Sequence, residues 1–354
     1  MIHGADILSY KTDKDLIDFS SNINPLGYPT GLMDFIISEF DNVKSYPDIQ
    51  YRELRDSLSR YLKTEAKYIV PGNGAMEIID GVLSKFNRCI IPYPSFIEYE
   101  LRAKENNCEI EFIAPNPDLS LNVDILKSII ENCSDDGFKN CLIIGNPNNP
   151  TGYVLSLEEI KTIHSLCIEN EVTLILDEAF FEFTDSNYDT VEYANSMNYK
   201  NIIIVRAATK FFGLPGIRLG YGIMNEDNVN FLKHSLNPWS VNSFAESAGR
   251  YIFNDRVYIK ESVEYIKKER EFLYDQISNL NSFKIFKSRS NYMLLKAMKN
   301  DVNELFDFLL QNGILIRLCS TFRGLDNTYI RIAVKSHDDN SYLIKKLKEF
   351  YNAK

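Results

Sequence analysis

Three short apolar runs alternate with helical patterns in the middle of the chain, and their order restricts the fold. Residues 141–147 (CLIIGNP), 172–179 (VTLILDEA) and 201–207 (NIIIVRA) read as buried strands. Residues 156–170 (SLEEIKTIHSLCIEN) read as a helix between the first two, with Ser156 and Glu159 spaced as a capping box at its start. Strand, helix, strand in this order calls for parallel neighbours, because a crossover helix carries the chain back to the end it started from. The expected fold class is α/β, with a mostly parallel central sheet and helices on both faces. Ligands in such sheets bind at the carboxyl ends of strands. Residues 146–152, Asp177 and Lys210 each lie just past a strand end, so they are expected to meet in one crevice.

From about residue 243 the character changes. A long, charged, helical pattern covers 244–280, followed by short strands at 291–297, 314–319 and 329–335 and a final helix. This predicts a smaller α+β domain. The expected division is an N-terminal arm over 1–40, a large domain over 41–242 and a small C-terminal domain over 243–354. The proline-rich 18–31 (DFSSNINPLGYPTG) reads as an extended part of the arm.

A chain of 354 residues can bury a large core without staples. Its 39 Lys and Arg against 49 Asp and Glu give a net charge of −10, which argues against a nucleic-acid partner. No apolar run approaches a membrane span, and the first residues lack a signal-peptide pattern. The six cysteines are scattered without a CxxC, and the four histidines form no ligand cluster. Reduced thiols, a cytoplasmic location and no metal site are expected.

The chemistry gathers at the strand ends. Lys210 follows the run 202–207 in small and aromatic company, Ala207, Ala208, Phe211 and Phe212. Desolvation there lowers an amine's pKa and prepares it to capture a carbonyl as a Schiff base. Asp177 ends the apolar strand and needs a cationic partner to stay ionised, such as a pyridinium nitrogen. Residues 72–77 (GNGAME) lead into a helix, where backbone amides can crowd an anion. Asn149 sits in the tight turn 146–152 (NPNNPTG). Arg218, eight residues after Lys210, brings a guanidinium to a phosphate beside the lysine. Each feature alone is as readily a cap, a turn or a surface charge. In this order they supply an amine for an aldehyde, an acid for a ring nitrogen and donors for a phosphate, the inventory for pyridoxal 5′-phosphate.

The series GNGAME, NPNNPTG, DEAFFEF, ATKFFGLPGIRLG and RIAV resembles the fold-type-I pyridoxal-phosphate transferases, in the histidinol-phosphate aminotransferase branch, from His3 to about Ser336. HGADI, DFSSNINPLG, NPWSVN and ILIRLCSTFRGLDNTYIRIAVKS are similar to the threonine-phosphate decarboxylases of cobalamin biosynthesis within that family. The resemblance implies that Lys210 carries the cofactor, Asp177 pairs with its ring nitrogen and Asn149 with its ring hydroxyl. Gly74, Ala75 and Arg218 would hold the phosphate, with Thr209 beside them, and Tyr93 would stack on the ring. Tyr46 would reach the neighbouring subunit's cofactor, which implies a homodimer. His3, Gly4, Asn22, Asn149, Arg317 and Arg331 would bind a phosphorylated amino acid, the two arginines sharing its carboxylate and phosphate.

Two departures stand out. Ala207 occupies a position that often carries a hydroxyl contacting the phosphate, and Phe180 replaces a tyrosine that bonds the ring hydroxyl. The implied activity is decarboxylation of O-phospho-L-threonine to (R)-1-aminopropan-2-yl phosphate. O-phospho-L-serine as substrate, and an aminotransferase of the histidinol-phosphate type, remain alternatives. One methyl group separates the two phosphoamino acids, worth about 1–3 kcal/mol of discrimination.

Overall fold

The computed structural model describes residues 4–10, 15–133, 137–184, 187–298 and 302–352. A short strand, β1 (Ile17–Asp18), lies apart from the main sheet. The main sheet uses β2 (Ile69–Gly72), β3 (Arg88–Pro92), β4 (Glu109–Ile113), β5 (Asn140–Gly145), β6 (Thr173–Asp177), β7 (Ile202–Ala207) and β8 (Gly220–Ile223). Their order is β2-β8-β7-β6-β5-β3-β4. β8 runs antiparallel to both neighbours and the other pairings are parallel.

The three central strands carry unbroken apolar runs, 141–144, 174–176 and 202–205, for a physical reason. Leu142, Leu174, Leu176, Ile202 and Ile204 face one core, and Ile143, Ile175, Ile203 and Val205 face another on the opposite side of the sheet. Successive side chains point to opposite faces, so a sheet covered on both faces needs apolar residues at both parities. The covering helix Leu157–Glu169 begins at the expected capping box, with Glu159 N–H donating to Ser156 Oγ and the Glu159 side chain accepting from Ser156 N–H.

The expected α/β class with a mostly parallel sheet is the observed one. A second, antiparallel sheet follows, built from β9 (Phe283–Ile285), β10 (Tyr292–Ala297), β12 (Arg317–Leu318) and β13 (Tyr329–Ala333) in the order β12-β13-β10-β9. The remaining strand, β11 (Ile314–Leu315), pairs in parallel with β1. This ties the N-terminal arm to the C-terminal part of the chain.

Two elements differ from the sequence expectation. The apolar run 314–319 is not one strand: it changes partner at Ile316, pairing first with β1 and then with β13. The long helical pattern is two helices, Ser243–Ile252 and Arg256–Ser278. Asp255 starts the second by accepting from Tyr258 N–H, which satisfies an orphan donor that a continuous helix would not have. Among the described residues, no helix is long and apolar enough to cross a membrane and no acidic, histidine and cysteine cluster could hold a metal. All six cysteines are buried and none is paired in a disulfide.

Candidate active site

A cavity of about 260 Å³ opens at the carboxyl ends of β5, β6 and β7. It brings together Gly4, Asn22, Ala75, Asn149, Asp177, Thr209, Lys210, Arg218, Arg317 and Arg331 from six separate stretches of sequence. Among the described residues that line it, four are cationic and Asp177 is the one carboxylate. In a chain of net charge −10 this is a local concentration of positive charge, suited to an anionic ligand.

Lys210 lies on the short helix Ala208–Phe211 that follows β7 directly. Its amine is pushed down to about 8 by burial first, then by repulsion from Arg331 and Arg218. Asp177 is the last residue of β6. Burial raises its pKa, and hydrogen bonds from Tyr99 and the Ala179 N–H oppose the rise. Tyr99 Oη donates to Oδ2 at 2.6 Å and Ala179 N–H donates to Oδ1 at 3.0 Å.

Gly74 caps the helix Ala75–Leu83 with φ 81°, a left-handed value that disfavours a side chain. A Cβ there would come within 2.4 Å of Arg218 Nη2, so the glycine also makes room for the guanidinium. Arg218 itself has φ 63°, uncommon for a residue with a side chain. The first amides of that helix and Arg218 therefore form a cradle for a phosphate. Thr209 and Ala207 both line the cavity, so one of the two positions supplies a hydroxyl and the other does not.

Opposite lies the arginine pair. Arg331 Nη1 donates to Asn149 Oδ1, and Nη2 donates to the Ser20 carbonyl at 2.6 Å. Arg317 Nη2 donates to Thr321 Oγ1 at 2.7 Å. Arg331 Nε and Asn22 Oδ1 are buried with no hydrogen-bond partner among the described residues. Buried polar atoms rarely stay unpaired, so these two point to a ligand. Gly4 packs onto the same arm: a Cβ on it would lie 2.1 Å from the Ser20 carbonyl oxygen, and the Ala5 N–H donates to Ser20 Oγ at 2.9 Å.

Two expected contacts need correction or relocation. Tyr93 does not line the cavity; its ring lies edge-on to Phe112 and against Gly324, beside a separate small pocket. Phe96, three residues on, lines the cavity instead, because the chain turns at Pro94 before the helix Ile97–Glu105 begins. Tyr46 is 79% exposed, stacks near Trp239 with ring centroids 4.7 Å apart, and does not line this chain's cavity. His3 lies outside the described residues. Phe180 lines the cavity and packs on Tyr292, without a hydroxyl to offer. Sequence reading missed Phe96, Tyr99, Ser20, Thr321 and Phe322; the aromatic spacing in YPSFIEY was the available signal for the first two.

These residues fit pyridoxal phosphate. The Gly74 cradle would take the phosphate, Asp177 a cationic ring nitrogen and Asn149 a ring oxygen, and Lys210 would supply an amine whose pKa is lowered to about 8.

Comparison with known proteins agrees with the geometry. A protein from Caldanaerobacter subterraneus subsp. tengcongensis, provisionally assigned as a threonine-phosphate decarboxylase, is 39% identical over 99% of this chain and 94% of its own. The threonine-phosphate decarboxylase of Salmonella typhimurium is 33% identical over 97% of this chain and 93% of its own. The crystal structure of histidinol-phosphate aminotransferase from Clostridium acetobutylicum superposes with a TM-score of 0.90 at 37% identity, covering 96% of this chain and all of that one. The model of the family described as aminotransferase class I and II matches residues 14–347. The chain is a member of the aminotransferase class I and II family.

Proposed function

We propose that this protein is a pyridoxal-phosphate-dependent decarboxylase of O-phospho-L-threonine, releasing carbon dioxide and (R)-1-aminopropan-2-yl phosphate for cobalamin biosynthesis. The observation that carries this reading is the second cation. A plain amino acid has one carboxylate for Arg331 to hold, whereas a phosphorylated one brings a further dianion, and Arg317 stands beside Arg331 in the same cavity. Both curated relatives described above carry the decarboxylase name.

The cofactor supplies an aldehyde for amines and a protonated ring that accepts the electron pair freed at Cα. The chain's own residues do the rest. Asp177 holds the positive ring nitrogen. Arg331, Arg317 and Asn22 bind the two anions of the substrate. Two anchors fix which bond to Cα is presented for breaking, where a single anchor leaves the substrate free to rotate. Loss of carbon dioxide leaves an electron pair at Cα, and Lys210 Nζ returns one proton there. Gly4, Ala5 and Ser20 to Asn22 of the N-terminal arm line the site and help exclude water.

The protein acts as a cytoplasmic homodimer in this reading, with Tyr46 serving the partner subunit's cofactor. Its exposure, and the exposed apolar side chains Met33, Ile37, Phe40 and Trp239 on neighbouring segments, support a second copy covering this face.

Transamination of a histidinol-phosphate-like substrate is a second reading, favoured by the 37% identity to the Clostridium aminotransferase. One experiment separates them. O-phosphothreonine given without any keto acid should turn over many times and release carbon dioxide. Turnover that stops after one equivalent and resumes only with 2-oxoglutarate would establish the transaminase. O-phosphoserine, run in parallel, tests the side-chain methyl.

A further inference from the structure

Tyr99 sits on the helix Ile97–Glu105 and is 2% exposed. Its ring lies edge-on to Phe96 at 5.7 Å and its hydroxyl reaches Asp177 Oδ2 at 2.6 Å. The neighbouring strand makes room for this contact. Gly145 is the register partner of Asp177, and a Cβ on Gly145 would lie 3.2 Å from the Tyr99 oxygen. An ionised carboxylate accepts only, so Tyr99 must be the donor. Burial and the Asp177 charge hold the phenol well above its ordinary value, so it keeps its proton at every working pH.

Tyr292 on β10 also acts on the pair, and its own hydroxyl donates to the Asn148 carbonyl at 2.9 Å. Lys210 and Arg331 line the same cavity.

A donor on Asp177 has a defined consequence for whatever else the carboxylate binds. It spreads part of the negative charge onto the phenol and makes Asp177 a weaker base. A proton shared between Asp177 and a ring nitrogen then rests more on the nitrogen. We propose that Tyr99 is a positioning residue for the cofactor: by donating to Asp177 Oδ2, it keeps the shared proton on the ring nitrogen. This rests on the pyridoxal-phosphate reading given above and adds to it a group that acts through Asp177.

The test reads the bound cofactor's visible absorption against pH. A positive ring nitrogen repels positive charge on the nitrogen joining the cofactor to Lys210 and lowers the pH at which that nitrogen gives up its proton. Tyr99→Phe should therefore move the spectral midpoint up by about one pH unit. Tyrosine fluorinated beside the hydroxyl at position 99, a stronger donor of nearly the same shape, should move it down. In the Asp177→Asn background the Tyr99→Phe change should move it by less than a third as much, because the route runs through the carboxylate. Equal shifts in both backgrounds would make Tyr99 a packing residue and overturn the inference, as would an unmoved midpoint in Tyr99→Phe or an upward shift on fluorination. If the unsubstituted protein shows no visible band with pyridoxal phosphate, the cofactor reading itself fails, a result distinct from a band that forms and does not respond to Tyr99.

Discussion

Arg317 and Arg331 are direct register partners across β12 and β13, two cations facing each other in a buried sheet. Like charges opposite one another destabilise strand pairing, and burial sharpens the cost. Burial, followed by repulsion from Arg331, pulls the Arg317 pKa down to about 10. The two hydrogen bonds of Arg331 noted above go to neutral oxygens, a carbonyl and an amide. An arrangement of this kind is stabilised when anions enter the cavity between the guanidinium groups and the cofactor cradle.

Arg317→Ala should raise KM for O-phosphothreonine by about 100-fold, the worth of a charge-assisted hydrogen-bonded contact. The visible band of the bound cofactor should stay as it is if Arg317 serves the substrate, as proposed above. Steady-state kinetics and an absorption spectrum on one sample check both. Loss of the cofactor band would move Arg317 into the cofactor cradle.

Lys210 carries a pH signature that needs no substrate. In the unfolded chain it keeps its proton up to about 10.5, whereas in the folded apoprotein it releases it near 8. Between those values the unfolded state binds more protons, so this group makes the apoprotein more stable as pH rises from 8 to 10.5. Below pH 8 the penalty for burying the charge is fully present. Lys210→Met should therefore stabilise the apoprotein at neutral pH by about 3 kcal/mol, with the gain closing through that window. Urea unfolding at a series of pH values measures it. A constant gap between the two proteins would show that Lys210 is not the source.

The two aromatic positions of YPSF separate cleanly. Phe96→Ala should weaken pyridoxal-phosphate binding about tenfold by removing a ring from the cavity wall. Tyr93→Leu should leave cofactor binding within about twofold, because that ring packs on Phe112 and Gly324 instead. Fluorescence titration of the two apoproteins decides it, and the reverse order would return Tyr93 to the stacking role.

What could be read from one dimension follows from the physics of each element. β5, β6 and β7 were legible because a sheet buried on both faces writes an unbroken apolar run. Lys210, Asp177 and Asn149 were legible because they stand where such runs end. The family resemblance put Arg317 and Arg331 on one substrate, but their direct register across two strands was not legible, since it depends on a partner change at Ile316 inside an apolar stretch that looks continuous. Tyr99 was hidden for another reason: a tyrosine among Glu98, Glu100 and Arg102 on a helix reads as a core contact, and its carboxylate partner lies 78 residues away. The Tyr93 expectation failed because two aromatic side chains three residues apart, on either side of a proline turn, cannot be assigned a direction without the turn's geometry.

Gly4→Ala tests the arm. Its Cβ would collide with the Ser20 carbonyl, which also receives Arg331, so the arm must lift to accommodate a single methyl group. Turnover of O-phosphothreonine should fall about tenfold or more, with cofactor affinity unchanged. Ser20→Ala is the milder companion, removing the hydroxyl that accepts from Ala5 while leaving the carbonyl in place. If Gly4→Ala behaves like the unsubstituted protein, the arm is not part of the working site.

Tyr46 stands outside the cavity of its own chain, beside Trp239 on an exposed apolar face. A tyrosine that serves the cofactor from there must do so across a subunit boundary. In a dimer of Lys210→Ala and Tyr46→Phe chains, one of the two sites would then combine an intact Lys210 with an intact Tyr46 from the other chain. The other site would carry both lesions. Co-expressing the two variants with different affinity tags and isolating the mixed dimer should recover about half the activity of the unsubstituted dimer, from two parents that are each impaired. If Tyr46 acted within its own chain, each site of the mixed dimer would carry one lesion and activity would stay near the mean of the parents. Sedimentation of the same sample gives the second reading, since a fully active monomer leaves Tyr46 no partner subunit to serve.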